Sequence, residues 1–253
     1  MLLVSFCVLV SGSLPGQQAP GSPATFAVAT IRPSPPDALP LTQIRGNRFA
    51  TEGTTFVDVF KYAYDVHPDQ VVGGPEWIRT QKFSILADPE TEVRPTSDQM
   101  KAMVRQLLVE RFHVVMHQER KMLSVYALVK TADPARLTKT TTPPGIPVVA
   151  YSPKGELHVG NATMPNFATF LQRFVLDRPA VDQTGIDGRF DLKLRWTPDN
   201  LRPDGKLDDS RPESSAPPGL FTAIQEQLGL KLQPTKAPTE VFVIDHIEHP
   251  AES

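Results

Sequence analysis

The segment Val181–Trp196 (VDQTGIDGRFDLKLRW) carries three aspartates around two glycines, and these side chains are the first candidates for chemistry. Grouped carboxylates can bind calcium or form an acid–base pair, and they also occur where a turn joins two strands. An EF-hand loop that starts at Asp182 needs glycine at its sixth place, where Asp187 stands, and glutamate at its twelfth, where Lys193 stands. The spacing therefore argues against an EF-hand calcium loop and leaves other kinds of calcium loop open.

The same segment has the pattern of a turn followed by a strand. Apolar and charged residues alternate through its second part, which predicts a strand with one buried and one solvated face. Asp187 and the glycine after it are typical of a hairpin turn, and Asp182 can accept a hydrogen bond from the backbone two residues later. On this interpretation Asp191 lies on the solvated face and does no bond-making.

Histidines offer a second chemistry, because imidazole binds zinc and acts as a general base. His113 and His117 fall on a predicted strand, about 13 Å apart at roughly 3.3 Å per residue, which is too far to share one ion. Asp245 and His246 end the apolar strand VFVIDHIE, with His249 close behind and no defined third metal ligand. We therefore predict no metal site, and we keep Asp245 and His246 as binding candidates.

The stretch Gly73–Trp77 (GGPEW) has two interpretations. It is either a ligand-facing turn with tryptophan as a contact surface, or a hairpin turn with a core tryptophan. The chain has no G-x-S-x-G, S-x-x-K, H-E-x-x-H, P-loop or dinucleotide-binding pattern, so we predict no catalytic residue and no cofactor. The binding candidates are Gly73, Gly74, Trp77, Asp182, Asp245 and His246.

Composition narrows the class of partner. The chain has 253 residues with 26 basic against 28 acidic side chains and no basic run, which argues against nucleic acid. The expected partner is a protein, a peptide or a glycan. The 26 prolines cluster at 15–40, 134–153 and 198–218, a pattern of loops around a folded core.

The N-terminus (MLLVSFCVLVSGSLPGQQAPG) has the form of a secretory signal, with about ten apolar residues before a small-residue zone. We assign residues 1–22 to a signal peptide and flexible start, and we expect an extracytoplasmic protein. Phe6 before Cys7 argues against a lipoprotein anchor. Cleavage would remove the only cysteine, and no later segment has transmembrane length, so the mature chain is not expected to span a membrane.

The elements that must position these residues occur twice. We predict an α+β fold of two tandem β-α-β-β-α-β-β halves, 23–130 and 156–253, with helices packed on mixed or antiparallel sheets. A Pro-rich connection at 131–155 joins them, and a flexible loop at 201–218 interrupts the second half. Each half is expected to contain a Gly-punctuated hairpin (QVVGGPEWIRTQKFSILAD and AVDQTGIDGRFDLKLRWTP) and to end in two strands.

Helix ends are marked by capping residues. Thr54 or Thr55 is expected to begin the first helix and Thr163 its counterpart, each before an apolar stripe with helical spacing. Thr96–Gln99 has the form of a capping box, and Gly229 is placed to end the last helix.

Several stretches together carry a resemblance: FAVATIRPS, GNRFATEGTTFVDVFKYAY, VVGGPEWIRTQKFSILA, LLVERFHVVMHQERKMLSVYALV, RPAVDQTGIDGRFDLKLRWTPD and LFTAIQEQLGLKLQPTKAPTEVFVIDHIEHP. They resemble, over about residues 26–250, a large soil-associated bacterial family, abundant in acidobacteria, that carries a domain of unknown function. The resemblance implies an extracytoplasmic location. Some relatives carry this domain beside a membrane metallopeptidase of the antibiotic-sensor type, which implies a role in sensing but no catalytic residue.

Three functions fit these observations. The first is an exported binding or sensing module without catalytic activity, using sheet edges or the groove between the halves. The second is a hydrolase for cell-wall or extracellular polymer that assembles Asp182, Asp187, Asp245 and His246 in one cleft. The third is a structural envelope protein that self-associates.

Overall fold

The computed structural model describes residues 25–90, 92–132, 135–145, 147–198 and 217–250. The predicted signal segment and nearly all of the predicted loop at 201–218 lie outside these residues. In the described part, five α-helices and three four-stranded sheets form the predicted α+β fold. Among the same residues, no helix has both the length and the apolar character needed to cross a membrane.

The first outer sheet has the strand order β1-β5-β3-β2, with every neighbouring pair antiparallel. Its helices bury their apolar sides together with one face of this sheet in a first core. The elements are β1 (Phe26–Pro33), β2 (Leu41–Arg45), β3 (Arg48–Thr54), α1 (Phe56–Tyr64), β5 (Phe83–Pro89) and α3 (Ser97–Phe112).

The second outer sheet has the order β7-β11-β9-β8, again antiparallel throughout. Two of its strands come from the connection predicted at 131–155, which therefore contains regular structure. Helices cover one face of this sheet and form a second core. The elements are β7 (Thr138–Lys139), β8 (Val148–Ser152), β9 (Glu156–Ala162), α4 (Met164–Phe174), β11 (Phe190–Arg195) and α5 (Leu220–Leu228).

A central sheet joins the halves in the order β10-β6-β12-β4. Two strands were predicted at the end of each half, and this number is wrong. Each half ends in one long strand, β6 (Val115–Lys130) in the first and β12 (Leu230–His246) in the second. These strands pair antiparallel from end to end, and the ladder holds polar and proline-containing stretches extended. The short strands β4 (Val71–Gly73) and β10 (Ala180–Asp182) add parallel at the two opposite edges.

Two prolines are tolerated inside β12 because of where they face. The Tyr126 N–H donates to the Pro179 carbonyl beside β10, at 2.8 Å, and therefore points away from β12. Every second residue of β6, counted from Tyr126, has its backbone N–H and C=O on this outer side. The partners of Tyr126 and Met122 on β12 are Pro234 and Pro238, which by the same alternation face the free edge. Their missing N–H groups cost no ladder hydrogen bond.

The two predicted Gly-punctuated hairpins are also wrong, because their strands belong to different sheets. β4 lies in the central sheet, and the chain passes through the short helix α2 (Trp77–Thr80) before β5 joins the first outer sheet. β10 likewise lies in the central sheet, whereas β11 lies in the second outer sheet. The glycine-containing turns therefore change sheet, and a turn signal alone cannot distinguish that from a hairpin.

Each core is closed by a strand from the other half. Phe242 and Ile244 of β12 pack in the first core, and Tyr126 and Leu128 of β6 pack in the second. The Phe242 ring lies 5.4 Å from Phe60 in edge-to-face contact. The halves are thus interlocked through the central sheet.

The predicted helix boundaries are confirmed at Thr55, Thr96, Thr163 and Gly229. Other details also match between the halves. Thr55 and Thr163 cap with the same φ and ψ, −79° and 166°, and each forms a capping box. Just before them, Gly53 and Asn161 both have positive φ, 58° and 55°, at bulges in β3 and β9. These matches support the predicted repeat, which stays an interpretation of the fold.

Candidate binding groove between the halves

A groove of about 410 Å³ lies where α1, β2 and the end of α4 meet. Pockets of roughly 300–1,000 Å³ are typical of small-ligand sites. Both halves contribute to it, because α1 and β2 come from the first half and α4 from the second. The lining residues are Pro40, Thr42, Gln43, Ile44, Thr54, Asp58, Lys61, Tyr62, Arg173 and Phe174.

The helices point these side chains into the groove because their apolar stripes are used elsewhere. On α1, the buried residues Val59, Phe60 and Ala63 face the first core. Lys61 and Tyr62 lie outside this buried stripe on the helix, and their side chains are half-buried beside the core. Tyr62 still packs its ring 5.2 Å from Phe49, which fixes the base of the groove.

Arg173 is held in place by an acid and two rings. Its Nη1 donates to Asp65 Oδ1 at 2.8 Å. Its guanidinium also lies over the rings of Tyr62 and Phe174, at 5.5 and 5.0 Å from their centroids. Asp65 is shared with Lys101, so Arg173 has a carboxylate partner before any ligand arrives.

The two remaining charged residues of the groove differ in what they are free to do. Asp58 Oδ2 accepts from the backbone N–H and hydroxyl of Thr55, at 3.0 and 2.8 Å, in the capping box of α1. Lys61 forms no ion pair with any residue that the structure describes. The groove therefore offers an uncommitted ammonium group to a ligand.

Burial raises the pKa of the Tyr62 phenol, while Arg173 lowers it and Asp65 raises it. The phenol consequently stays protonated near neutral pH and can donate a hydrogen bond. Phe174 also stacks on Tyr151 of β8 at 5.1 Å, so the wall of the groove depends on the second outer sheet.

A buried polar network ties the halves together beside the groove. Gln172 at the end of α4 donates to the Asp65 carbonyl at 3.2 Å and accepts from the Ala180 N–H at 3.0 Å. Gln70 donates to the Glu240 carbonyl of β12 at 2.9 Å. Such paired buried groups cost little when complete and much when one partner is lost.

His67 belongs to this junction and makes its stability depend on pH. Its Nδ1 accepts from the Asp69 N–H at 3.2 Å, which requires that nitrogen to be unprotonated. Burial lowers the pKa of His67, against the opposing effect of Asp69. The unfolded chain therefore binds a proton, near pH 6.5, before the folded chain does.

We expect the free energy of unfolding to be fully maintained above about pH 6.5 and to decrease as pH falls through that value toward the lower folded pKa of His67. An Asn side chain can accept the hydrogen bond from the Asp69 N–H that His67 accepts here, so His67→Asn should retain this helix cap. Because Asn does not titrate, the free energy of unfolding of this variant should change less with pH between about pH 5 and 6.5. Urea unfolding between about pH 5 and 8 measures it, with exposed His158→Asn as control. Parallel wild-type and His67→Asn curves would contradict the assignment.

The glycine and tryptophan candidates lie outside the groove. Gly73 and Gly74, with φ of 75° and 69°, turn the chain from β4 toward α2 against Ile244. Trp77 packs at the margin of the first core and stacks on His249 at 4.1 Å. These contacts are those of a packed turn that changes sheet and of a half-buried tryptophan at the edge of the first core, so the hairpin in the second interpretation of this stretch is wrong.

The aspartates of the opening segment hold backbone. Asp182 Oδ1 accepts from the Thr184 N–H at 2.9 Å, as predicted for an Asx-type turn. Asp191 Oδ1 accepts from the Asn161 N–H at 2.9 Å and so supports the bulge of β9. Asp187 is exposed in the turn. None of the three lines the groove.

The C-terminal candidates form a separate exposed cluster. Asp245 lies 2.8 Å from Nδ1 of His117, and His246 lies 3.0 Å from Glu248. The hydrogen bond with His246 lowers the pKa of Glu248, with a contribution from His113. His113 ends α3 with φ of 48°, so its predicted place on a strand is wrong. In the described residues, no group of three or more His, Cys, Asp or Glu is arranged to hold a metal ion.

The central sheet keeps these acids apart. Asp182 is in register with Leu128 of β6, and the residues around Asp245 are in register with Met116 and Val115. Twelve residues of extended strand separate Leu128 from Met116, about 40 Å at roughly 3.3 Å per residue. One cleft therefore cannot contain Asp182 together with Asp245 and His246.

The groove residues Lys61, Tyr62 and Arg173 were not among the predicted binding candidates. Lys61, Tyr62 and Arg173 occupy ordinary positions on amphipathic helices, and they meet because Arg173 at the end of α4 reaches over the Tyr62 ring of α1. Phe174 belongs to the apolar stripe that follows Thr163, and it is half-buried at the groove. The available signal was weak: two basic residues, each beside an aromatic residue, near the ends of corresponding helices.

Fold and groove together describe an α+β domain with a cavity of about 410 Å³ where α1, β2 and α4 meet. Residues 57–247 match the family described as "Protein of unknown function (DUF3738)", and the chain belongs to that family. The predicted membership of a family of unknown function is thereby confirmed. Comparisons with curated proteins and with solved structures gave no significant match.

Proposed function

We propose that the protein is an exported binding or sensing module that holds its ligand in the groove between α1, β2 and α4, without catalysing a reaction. The observation that carries the proposal is the groove itself, which is lined by Lys61, without an ion-pair partner in the described residues, and by the aromatic side chains of Tyr62 and Phe174 on either side of Arg173. Aromatic surface with a few fixed polar groups is what a binding site requires.

The groove is poorly suited to acid–base catalysis. Asp58 is the one carboxylate among its lining residues, and the capping box already uses that side chain. General acid–base chemistry requires a positioned partner within hydrogen-bond reach of the reacting group. The hydrolase hypothesis named residues that lie about 40 Å apart along the central sheet, by the strand spacing of roughly 3.3 Å per residue, so we do not propose it.

Export is part of the proposal and rests on the N-terminal sequence pattern. The soil-associated, acidobacterial origin and the link to a membrane metallopeptidase sensor rest on the resemblance alone. In such a system the groove would bind an extracytoplasmic ligand, and the ligand-bound protein would signal to a membrane partner.

A binding screen tests the proposal. The full chain is titrated with muropeptides, oligosaccharides and synthetic peptides, and Lys61→Gln and Phe174→Ala are compared with the wild type. Loss of one charge-assisted hydrogen bond is worth about 1.5–3 kcal/mol, so a ligand that uses Lys61 should bind Lys61→Gln about ten- to a hundredfold more weakly.

Lys231→Gln is the matched control, because Lys231 is exposed on β12 and does not line the groove. It should bind as the wild type does. Ligands that bind all three variants equally would place recognition elsewhere. Failure of every ligand class, together with concentration-dependent assembly of the protein, would favour the self-associating envelope protein instead.

A further inference from the structure

We propose that the ligand of the groove is an extended peptide segment that adds as a fifth strand to the first outer sheet along β2, with a carboxylate bound by Lys61. This inference rests on the proposed function, because it names the ligand class of the same groove.

The free backbone of β2 is the first observation. β2 ends the first outer sheet, and no described strand pairs with its outer side. Arg45 pairs with Arg48 across the two-residue turn at Gly46 and Asn47, so Arg45 and alternate residues before it bond to β3. The N–H and C=O groups of Thr42 and Ile44 consequently face outward.

The second observation is the lack of protection on this edge. Leu39, Leu41 and Ile44 are 84%, 45% and 37% exposed, and residues 39–44 (LPLTQI) carry no charge. Exposed apolar edges invite pairing with another strand, and proteins usually block them with proline or charge. A single proline, Pro40, precedes the free groups of Thr42 and Ile44.

The free edges of the central sheet show the contrast. The unpaired stretch of β12 contains Pro234 and Pro238. The unpaired stretch of β6 contains Glu119, Arg120 and Lys121 in succession. β2 has neither form of protection over its two outward-facing residues, so its backbone is open to pairing, and unlike the similarly uncharged edge strand β8 (VVAYS) it contributes three lining residues to the groove.

The third observation is the position of the groove relative to this edge. Ile44 pairs with Phe49, whose side chain packs in the first core and lies 5.2 Å from the Tyr62 ring of α1. The groove lies on that same side, lined by β2 and α1. A strand added at β2 would therefore direct every second side chain into the groove.

Charge defines the chemistry of those side chains. Arg173 is already paired with Asp65, whereas Lys61 is uncommitted. An acidic side chain or a C-terminal carboxylate of the peptide would complete the pair, and apolar neighbours would cover Tyr62 and Phe174. The expected ligand is thus an extended, apolar segment with one carboxylate.

The experiment selects dodecapeptides from a displayed library on the full chain and then measures isolated peptides by fluorescence anisotropy. Thr42→Pro removes an outward N–H without removing a ladder hydrogen bond, so the protein should stay folded by circular dichroism. We expect peptides to bind Thr42→Pro at least tenfold more weakly than the wild type, and more weakly than Thr42→Ala, which loses the same side chain but keeps the outward N–H.

A charge arm identifies the carboxylate. Selected peptides should lose at least tenfold in affinity for Lys61→Gln. If C-terminal amidation of the peptide abolishes that difference, the carboxylate is the C-terminus, and if it does not, the carboxylate is a side chain. Replacing every acidic group of the peptide by an amide should abolish the difference in affinity between the wild type and Lys61→Gln, whichever carboxylate Lys61 binds.

The outcomes separate this inference from the proposed function. Peptides or small ligands that require Lys61 but bind Thr42→Pro normally would overturn strand addition and leave the groove as the site. A library without enriched peptides would also overturn it. A dimer in sedimentation that Thr42→Pro dissociates would show that a second copy of the chain occupies β2, and would overturn the peptide assignment.

Discussion

Residues 25–130 and 147–250, produced as separate chains, are expected to be unfolded alone and to regain cooperative unfolding when mixed. The first half lacks Phe242 and Ile244 when isolated, and the second lacks Tyr126 and Leu128. Burying each large apolar side chain is worth about 1.5–3 kcal/mol, and a domain has only about 5–15 kcal/mol in total. Each isolated half also loses the ladder between β6 and β12. Circular dichroism and urea titration of the single and mixed chains measure this.

A nicked protein provides the control. A protease site placed between residues 140 and 145 would cut the chain without removing any part of the central sheet. The nicked halves should elute together and separate only in denaturant. If each half instead unfolds cooperatively by itself, with a midpoint near that of the intact protein, the cores do not depend on exchanged strands.

The sequence was informative wherever a structural cause is local. Thr55, Thr96 and Thr163 cap helices through contacts three residues away, and Gly229 ends α5 with φ of 65°. Each of these features depends on side-chain and backbone chemistry within one helical turn. The α+β class followed from the alternation of such helices with short strands.

Strand partners could not be predicted because they are set by contacts distant in sequence. Val71 pairs with Phe242, and Val181 pairs with Ala127. A turn such as Gly73–Gly74 has the same glycine signature whether the next strand returns to its neighbour or enters another sheet. The predicted hairpins were wrong for this reason, and the exchange of strands between cores was missed with them.

The candidate site was harder still, because its residues carry no shared pattern. Lys61 and Arg173 lie 112 positions apart in the numbered chain, and only the packing of α4 beside α1 brings them to one groove. The acidic residues that stood out in the sequence instead hold turns and bulges. Asp182 and Asp191 both accept backbone N–H groups, which is the commoner use of aspartate near glycine.

Gly155→Ala is expected to destabilise the protein by about 2–5 kcal/mol and to weaken ligand binding in the groove. Gly155 has φ of 87° in the turn between β8 and β9, and an added Cβ would lie 1.9 Å from the Trp196 carbonyl oxygen. Left-handed backbone costs about 1–2 kcal/mol, and overpacking adds about 1–3 kcal/mol. The hairpin carries Tyr151, which stacks on Phe174, so its displacement reaches the groove.

Gly185→Ala separates the two causes in this prediction. Gly185 also has positive φ, 59°, but a Cβ there meets no atom within 4 Å. Gly185→Ala should therefore lose only the cost of a left-handed backbone, about 1–2 kcal/mol of the free energy of unfolding, and should leave binding unchanged. Urea unfolding gives both differences, and anisotropy with a groove-binding peptide gives the effect on the site. Equal losses for the two variants would mean that the Trp196 carbonyl moves aside at no cost, and that the β8–β9 turn does not fix the wall of the groove.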